Sequence, residues 1–130
     1  MARRLILLAE DDAAFRRLLA SILEEEGYEV VEAADGVELL AKIESTLTVG
    51  RARDDAFLVV ADVRMPRLGG LDVLAILRCA NSTTPVILIT AFGDDATHAE
   101  GHELGALAGF DKPFSVDRLR TAVLEAMPPR

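Results

Sequence analysis

The sequence is short of several things, and each shortage excludes something. Its 130 residues contain one cysteine, Cys79, so no internal disulfide can hold the fold. Cys79 lies in an apolar helical pattern and is expected to be buried filler. No apolar run approaches the roughly 18–20 residues that a membrane span needs; Ala56–Ala61 and Pro85–Ile89 are only strand-sized. Met1–Ala9 turns apolar after two arginines, but the run is too short for a secretory signal and leads straight into three acids. The expectation is a cytoplasmic chain without membrane contact. Positive charge is scarce as well: 14 basic against 22 acidic residues give a net charge of −8, which argues against direct binding to a nucleic-acid backbone. An acidic surface remains suited to metal cations or a basic partner.

What is present is the raw material of one folded domain. Apolar residues make up 51% of the chain, and the length is that of a single domain spanning 1–130. Pro128-Pro129-Arg130 reads as the start of a linker. Leu5–Ala9, Phe57–Ala61 and Val86–Thr90 are unbroken runs rich in branched residues, the pattern of strands buried on both faces of a parallel sheet. Tyr28–Ala33 and Leu107–Phe110 are weaker and suit edge strands.

Helical stripes lie between the runs. Phe15, Leu18, Leu19, Ile22 and Leu23 form the first, ended by Gly27. Val37, Leu39, Leu40 and Ile43 form a second, Leu71, Leu74 and Leu77 a third, and Val116, Leu119 and Val123 the last. A fourth helix, near Asp95–Leu104, is weakened by Gly101 at a cost of about 1 kcal/mol relative to Ala. Alternating strands and helices predict an α/β fold, a doubly wound parallel sheet with helices on both faces. Its site should lie beyond the carboxyl ends of the strands.

Those ends carry the chemistry. Glu10, Asp11 and Asp12 follow the first strand, Asp62 the third, Thr90 ends the fourth and Lys112 follows the fifth. Carboxylates crowded at one rim repel each other unless a cation sits among them. Magnesium suits a few carboxylate oxygens and keeps sites for water and phosphate. Acids after a strand also cap helices, and Asp12 is expected to do that. Asp62 beside a divalent cation is a competent nucleophile toward a phosphoryl donor. Thr90 and Lys112 would then supply a hydroxyl and an ammonium to the phosphoryl oxygens. Lys112 is one of only two lysines against twelve arginines. It is expected at a solvent-facing rim, in contact with Asp62.

Leu5–Asp12, Asp62-Val-Arg-Met-Pro66, Ile89-Thr90-Ala91 and Asp111-Lys112-Pro113-Phe114 together resemble the signature blocks of bacterial response-regulator receiver domains, in order, from about Arg4 to Met127. Val86–Asp94 is most similar to receivers of sigma-54-activator-type regulators. The resemblance implies a flavodoxin-like (βα)5 fold, with five parallel strands in the order 2-1-3-4-5. It implies a phosphorylation-controlled switch of two-component signalling rather than an enzyme, with self-directed phosphorylation and dephosphorylation only. Asp62 would be the phosphoacceptor, with Thr90 and Lys112 binding the phosphoryl group. Mg2+ would be held by Glu10, Asp11, Asp62 and the backbone carbonyl of Arg64, and the Lys112–Pro113 peptide would be cis. The implied partners are a sensor histidine kinase or phosphotransfer protein as donor, an output domain or effector, often one controlling transcription, and a second copy of the chain.

Two features depart from that pattern. Thr46–Asp55 makes the stretch before the third strand longer than usual and is expected to be a surface excursion. Gly109 stands where the family usually carries an aromatic ring or histidine that moves with Thr90, so the signal is expected to run through the Ala91–Asp95 loop and the fourth helix instead. An aspartyl-phosphate phosphatase or phosphotransferase on a similar sheet is the alternative, but the second acid it commonly needs two residues after the nucleophile is replaced by Arg64. A flavin or nucleotide carrier would need a phosphate-binding loop where three acids stand. His98 and His102, spaced i, i+4, lack a third metal ligand. Arg3-Arg4, Arg16-Arg17 and Glu24–Glu26 are expected to be solvated faces, and Gly69-Gly70 a tight turn.

Overall fold

Strands and helices alternate along the chain: β1 (Leu5–Ala9), α1 (Ala13–Glu25), β2 (Glu29–Ala33), α2 (Gly36–Thr48), β3 (Phe57–Asp62), α3 (Gly70–Cys79), β4 (Val86–Thr90), α4 (Asp95–Glu103), β5 (Ala108–Asp111) and α5 (Val116–Ala126). The structure is a computed structural model and describes residues 3–48, 57–91 and 95–129. All strand pairs are parallel, in the order β2-β1-β3-β4-β5. This is the doubly wound sheet that the sequence predicts. Among the described residues, no helix is long and apolar enough to cross a membrane.

Side chains alternate across a strand, and this divides the core in two. Leu5, Leu7, Val59, Ala61, Val86 and Leu88 pack with Leu39 and Ile43 of α2 and with Val73, Leu74 and Leu77 of α3. Ile6, Leu8, Leu58, Val60, Ile87 and Ile89 face α1 and α5 through Leu19, Leu23, Leu119 and Val123. Every residue of β1, β3 and β4 is buried, whereas β2 at the edge is mostly half-buried.

The packing corrects several expectations. Cys79 is exposed: it ends α3 two residues after Leu77, about 200° around the helix from the buried stripe. Leu18 is 51% exposed, because the buried side of α1 is centred on Leu19, Ala20 and Leu23; Val37 is likewise exposed. Residues 46–48 belong to α2 rather than to an excursion. Thr46 is buried, and its hydroxyl donates to the carbonyl of Lys42 at 2.8 Å. The rest of the expected excursion, 49–55, lies outside the described residues, as do 92–94 of the proposed signalling loop. β2 begins at Glu29 and β5 at Ala108, each one residue later than predicted. Gly101 does not abolish α4. It is buried, and a Cβ there would lie 3.1 Å from Leu88 Cδ1, so close packing against β4 accounts for the glycine.

Candidate functional site: an acidic cluster at the strand ends

The register that aligns Ala9 of β1 with Ala61 of β3 brings the next residues, Glu10 and Asp62, to the same rim. Both are buried although both are acids. Each carboxylate has its two oxygens engaged. Asp62 Oδ1 accepts from the Arg64 amide at 2.9 Å, and Oδ2 accepts from Lys112 Nζ at 2.8 Å. Glu10 Oε1 accepts from the same ammonium at 2.6 Å, and Oε2 from the Asp12 amide at 3.1 Å. Lys112 therefore bridges two carboxylates rather than touching Asp62 alone. Its side chain is only 24% exposed, which corrects the solvent-facing position expected for it. The Lys112–Pro113 peptide is cis, and the Phe15 ring centroid lies 4.9 Å from Nζ.

Asp11 is exposed at the mouth of this group. Carboxylate oxygens of Glu10, Asp11 and Asp62 all lie within 4.8 Å of one another, a spacing that can hold a metal ion. Asp12 leaves the cluster to cap α1, accepting from the Phe15 amide at 3.1 Å. Thr90 is buried at the end of β4, paired in register with Asp111 of β5.

The electrostatics fit a cation. Burial pushes the Glu10 carboxyl up to about 7. Its hydrogen bonds from Lys112 and Asp12 oppose the rise, while the Asp11 hydrogen bond and the Asp62 charge add to it. Lys112 is held above the ordinary lysine value: burial alone would lower it, but its hydrogen bonds to Asp62 and Glu10 outweigh that effect. Glu10 and Asp62 share one ammonium and Asp11 adds a third acid beside them, so negative charge remains for a divalent ion to neutralise.

The loop after Asp62 is held from below. Arg67, at φ 70°, donates to Asp35, which also caps α2 by accepting from the Glu38 amide. Gly69 and Gly70 start α3, and their backbones press against the chain that carries Asp62. A Cβ at Gly69 would lie 2.0 Å from the Val63 carbonyl oxygen, and one at Gly70 would lie 2.7 Å from that of Asp62. His98 and His102 make no metal group among the described residues; His98 pairs with Asp111.

One residue at the rim escaped the sequence pattern. Arg16, expected on a solvated face, donates through Nη1 to the Glu10 carbonyl at 2.8 Å and through Nε to Glu32 of β2 at 3.1 Å. The only hint was its position one turn after the Asp12 cap.

The family described as response regulator receiver domain matches residues 6–124. The chain is 34% identical over 128 residues to sporulation initiation phosphotransferase F of Bacillus subtilis, covering 98% of this chain and 97% of that protein. It is 37% identical over 122 residues to the transcriptional regulatory protein CpxR of Escherichia coli, covering 94% of this chain but only 48% of the relative. The chain thus spans about half the length of such transcriptional regulators. The crystal structure of a CheY-like response regulator receiver domain protein from Methanospirillum hungatei superposes with a TM-score of 0.80 at 29% identity, over 95% of this chain and 92% of the other.

Proposed function

This chain belongs to the response-regulator receiver family, and from that premise we propose that Asp62 is the phosphoacceptor of a two-component signalling switch. The observation that carries the assignment is the placement of Asp62: buried, in contact with Lys112, and within 4.8 Å of the carboxylates of Glu10 and Asp11.

An oxygen of Asp62 attacks the donor phosphorus as the bond to a histidine nitrogen of the kinase or phosphotransfer protein breaks. The imidazole nitrogen keeps the bonding pair and takes up a proton. Lys112 would balance the charge of the phosphoryl oxygens, and the Thr90 hydroxyl would donate to one of them. Glu10, Asp11, Asp62 and the carbonyl of Arg64 are the residues that would hold Mg2+. When bound, the ion supplies positive charge that screens the carboxylates from the incoming phosphoryl group. Arg64 rather than an acid follows the nucleophile by two residues, which argues against a phosphatase acting on separate substrates. The signal then passes to an output domain, an effector or a second copy. Similarity to a phosphotransferase along nearly its whole length, and to about half of several transcriptional regulators, supports both relay and output control as downstream uses.

Incubation with acetyl phosphate or a phosphorylated kinase should add one phosphoryl mass in magnesium and none in EDTA. Asp62→Asn should abolish the gain; equal labelling of that variant would refute the assignment.

A further inference from the structure

The β1–α1 turn carries Glu10 and Asp11, and several polar links hold it. The Glu10 amide donates to the Ala33 carbonyl at 3.1 Å. The Asp12 amide folds back on the Glu10 carboxylate, and Asp12 caps α1. The Glu10 carbonyl belongs to the peptide leading into Asp11. It accepts from Arg16 Nη1 at 2.8 Å, while Nε of the same guanidinium is held by Glu32 at 3.1 Å.

Building on Asp62 as the phosphoacceptor and its acidic cluster as a magnesium site, we infer that Arg16 is a positioning residue for the cation: tethered by Glu32, it sets the Glu10–Asp11 peptide plane and so aims the Asp11 carboxylate at Asp62. Asp11 is exposed, so its direction rests on its hydrogen bond with Glu10 and on the peptide plane from which its side chain departs. A guanidinium is suited to this task because its planar fork holds two acceptors at a fixed angle, which a lysine ammonium does not. The side chain is 19% exposed, against 53% for Arg17, which shares Glu32 but is not bonded to the Glu10 carbonyl. Arg16 is therefore an interior link between the edge strand and the metal turn rather than a surface ion pair.

The sign of the effect separates positioning from simple charge. Arg16 is positive and close to the cluster. Its charge alone repels a divalent cation, so removing that charge would tighten magnesium binding. Loss of a residue that orients metal ligands does the opposite and typically weakens binding 10–100-fold.

The test is calorimetric titration of the intact 130-residue chain with MgCl2 at pH 8, with acetyl-phosphate labelling followed against magnesium concentration. Arg16→Ala should raise the magnesium Kd at least about tenfold and raise the magnesium concentration needed for half-maximal labelling by a similar factor. Arg16→Lys keeps the charge and most of the stem but cannot hold both acceptors, and should raise Kd several-fold. Arg17→Ala should leave Kd unchanged or slightly lower. Thermal unfolding in EDTA monitors the fold; should Arg16→Ala fail to fold, Arg16→Lys decides. Unchanged or tighter binding in the folded Arg16 variants, with a wild type that binds magnesium, would overturn the positioning role alone. A wild type without magnesium binding would overturn the metal site and the inference together.

Discussion

His98 Nε2 on α4 lies 3.1 Å from Asp111 Oδ1 at the end of β5, so the residue before Lys112 is tied to the helix packed beside it. The chain Asp62–Lys112–Asp111–His98 thus runs from the site into α4 through one ion pair, one peptide bond and one side-chain contact. Behind it, a cavity of about 150 Å³ is lined by Leu88, Thr90, His98, Gly101, Leu107 and Gly109. Gly109 leaves that space open: a Cβ there would meet His98 Nδ1 only at 3.8 Å.

This pair is expected to restrain α4 before phosphorylation. It is exposed, so it is worth no more than about 1 kcal/mol, but α4 has little apolar anchorage of its own. His98→Ala should speed amide hydrogen exchange across Asp95–Glu103 several-fold in the unphosphorylated protein without changing acetyl-phosphate labelling. Exchange that stays at the wild-type rate would show that the contact restrains nothing. Gly101→Ala is a poor way to stiffen this helix, because the added methyl presses on Leu88.

Lys112 bridges two buried carboxylates, and its removal should be felt in the fold as well as in signalling. At pH 8 in EDTA, Lys112→Ala should lose on the order of 2 kcal/mol of stability, the penalty of buried charges left without a partner. Magnesium should restore much of that loss by taking the place of the ammonium. A metal-free midpoint equal to wild type would mean that water already screens the cluster.

Glu10 makes metal binding depend on pH. Its carboxyl stands at about 7 in the fold against 4.5 ordinarily, so the folded protein holds the proton more tightly than the unfolded chain. That contribution to stability is complete below pH 4.5 and is lost as pH rises through 7. Magnesium competes with the same proton, so its affinity should rise roughly tenfold per pH unit below pH 7 and level off above it. Titrations at pH 6 in buffers of different ionisation enthalpy should reveal proton release, and Glu10→Gln should remove it. An affinity independent of pH between 6 and 8 would contradict the assignment.

Gly69→Ala should be costly despite an ordinary φ of −88°, because its Cβ would overlap the Val63 carbonyl oxygen at 2.0 Å. The chain just after Asp62 would have to shift. A loss of about 1–3 kcal/mol, with slower acetyl-phosphate labelling, is expected in urea unfolding and mass spectrometry. Wild-type values in both would show that the loop yields freely.

The strands of the sheet centre and the rim residues were legible in the sequence for a local reason. β1, β3 and β4 are covered on both faces, so each is an uninterrupted apolar run, and whatever follows such a run must emerge at the carboxyl rim. Glu10, Asp11, Asp62, Thr90 and Lys112 could therefore be placed together without coordinates, and Asp12 could be identified as a cap from its position alone. Helix faces were less legible. Periodicity locates a stripe, but only the neighbours decide how wide it is, which is why Leu18 and Cys79 turned out exposed and Thr46 buried.

The sequence by itself determined the fold class, the strand ends and the kinds of groups gathered there, because burial on two faces and turn chemistry are written in runs of adjacent residues. Only the tertiary structure decided how those groups are paired. The ammonium of Lys112 meets a carboxylate 102 positions away, Arg16 turns inward because Glu32 of a neighbouring strand and the Glu10 carbonyl offer its fork two acceptors, and His98 of α4 finds Asp111 at the end of β5. Such pairings depend on distance and direction in space between elements, which spacing along the chain does not encode.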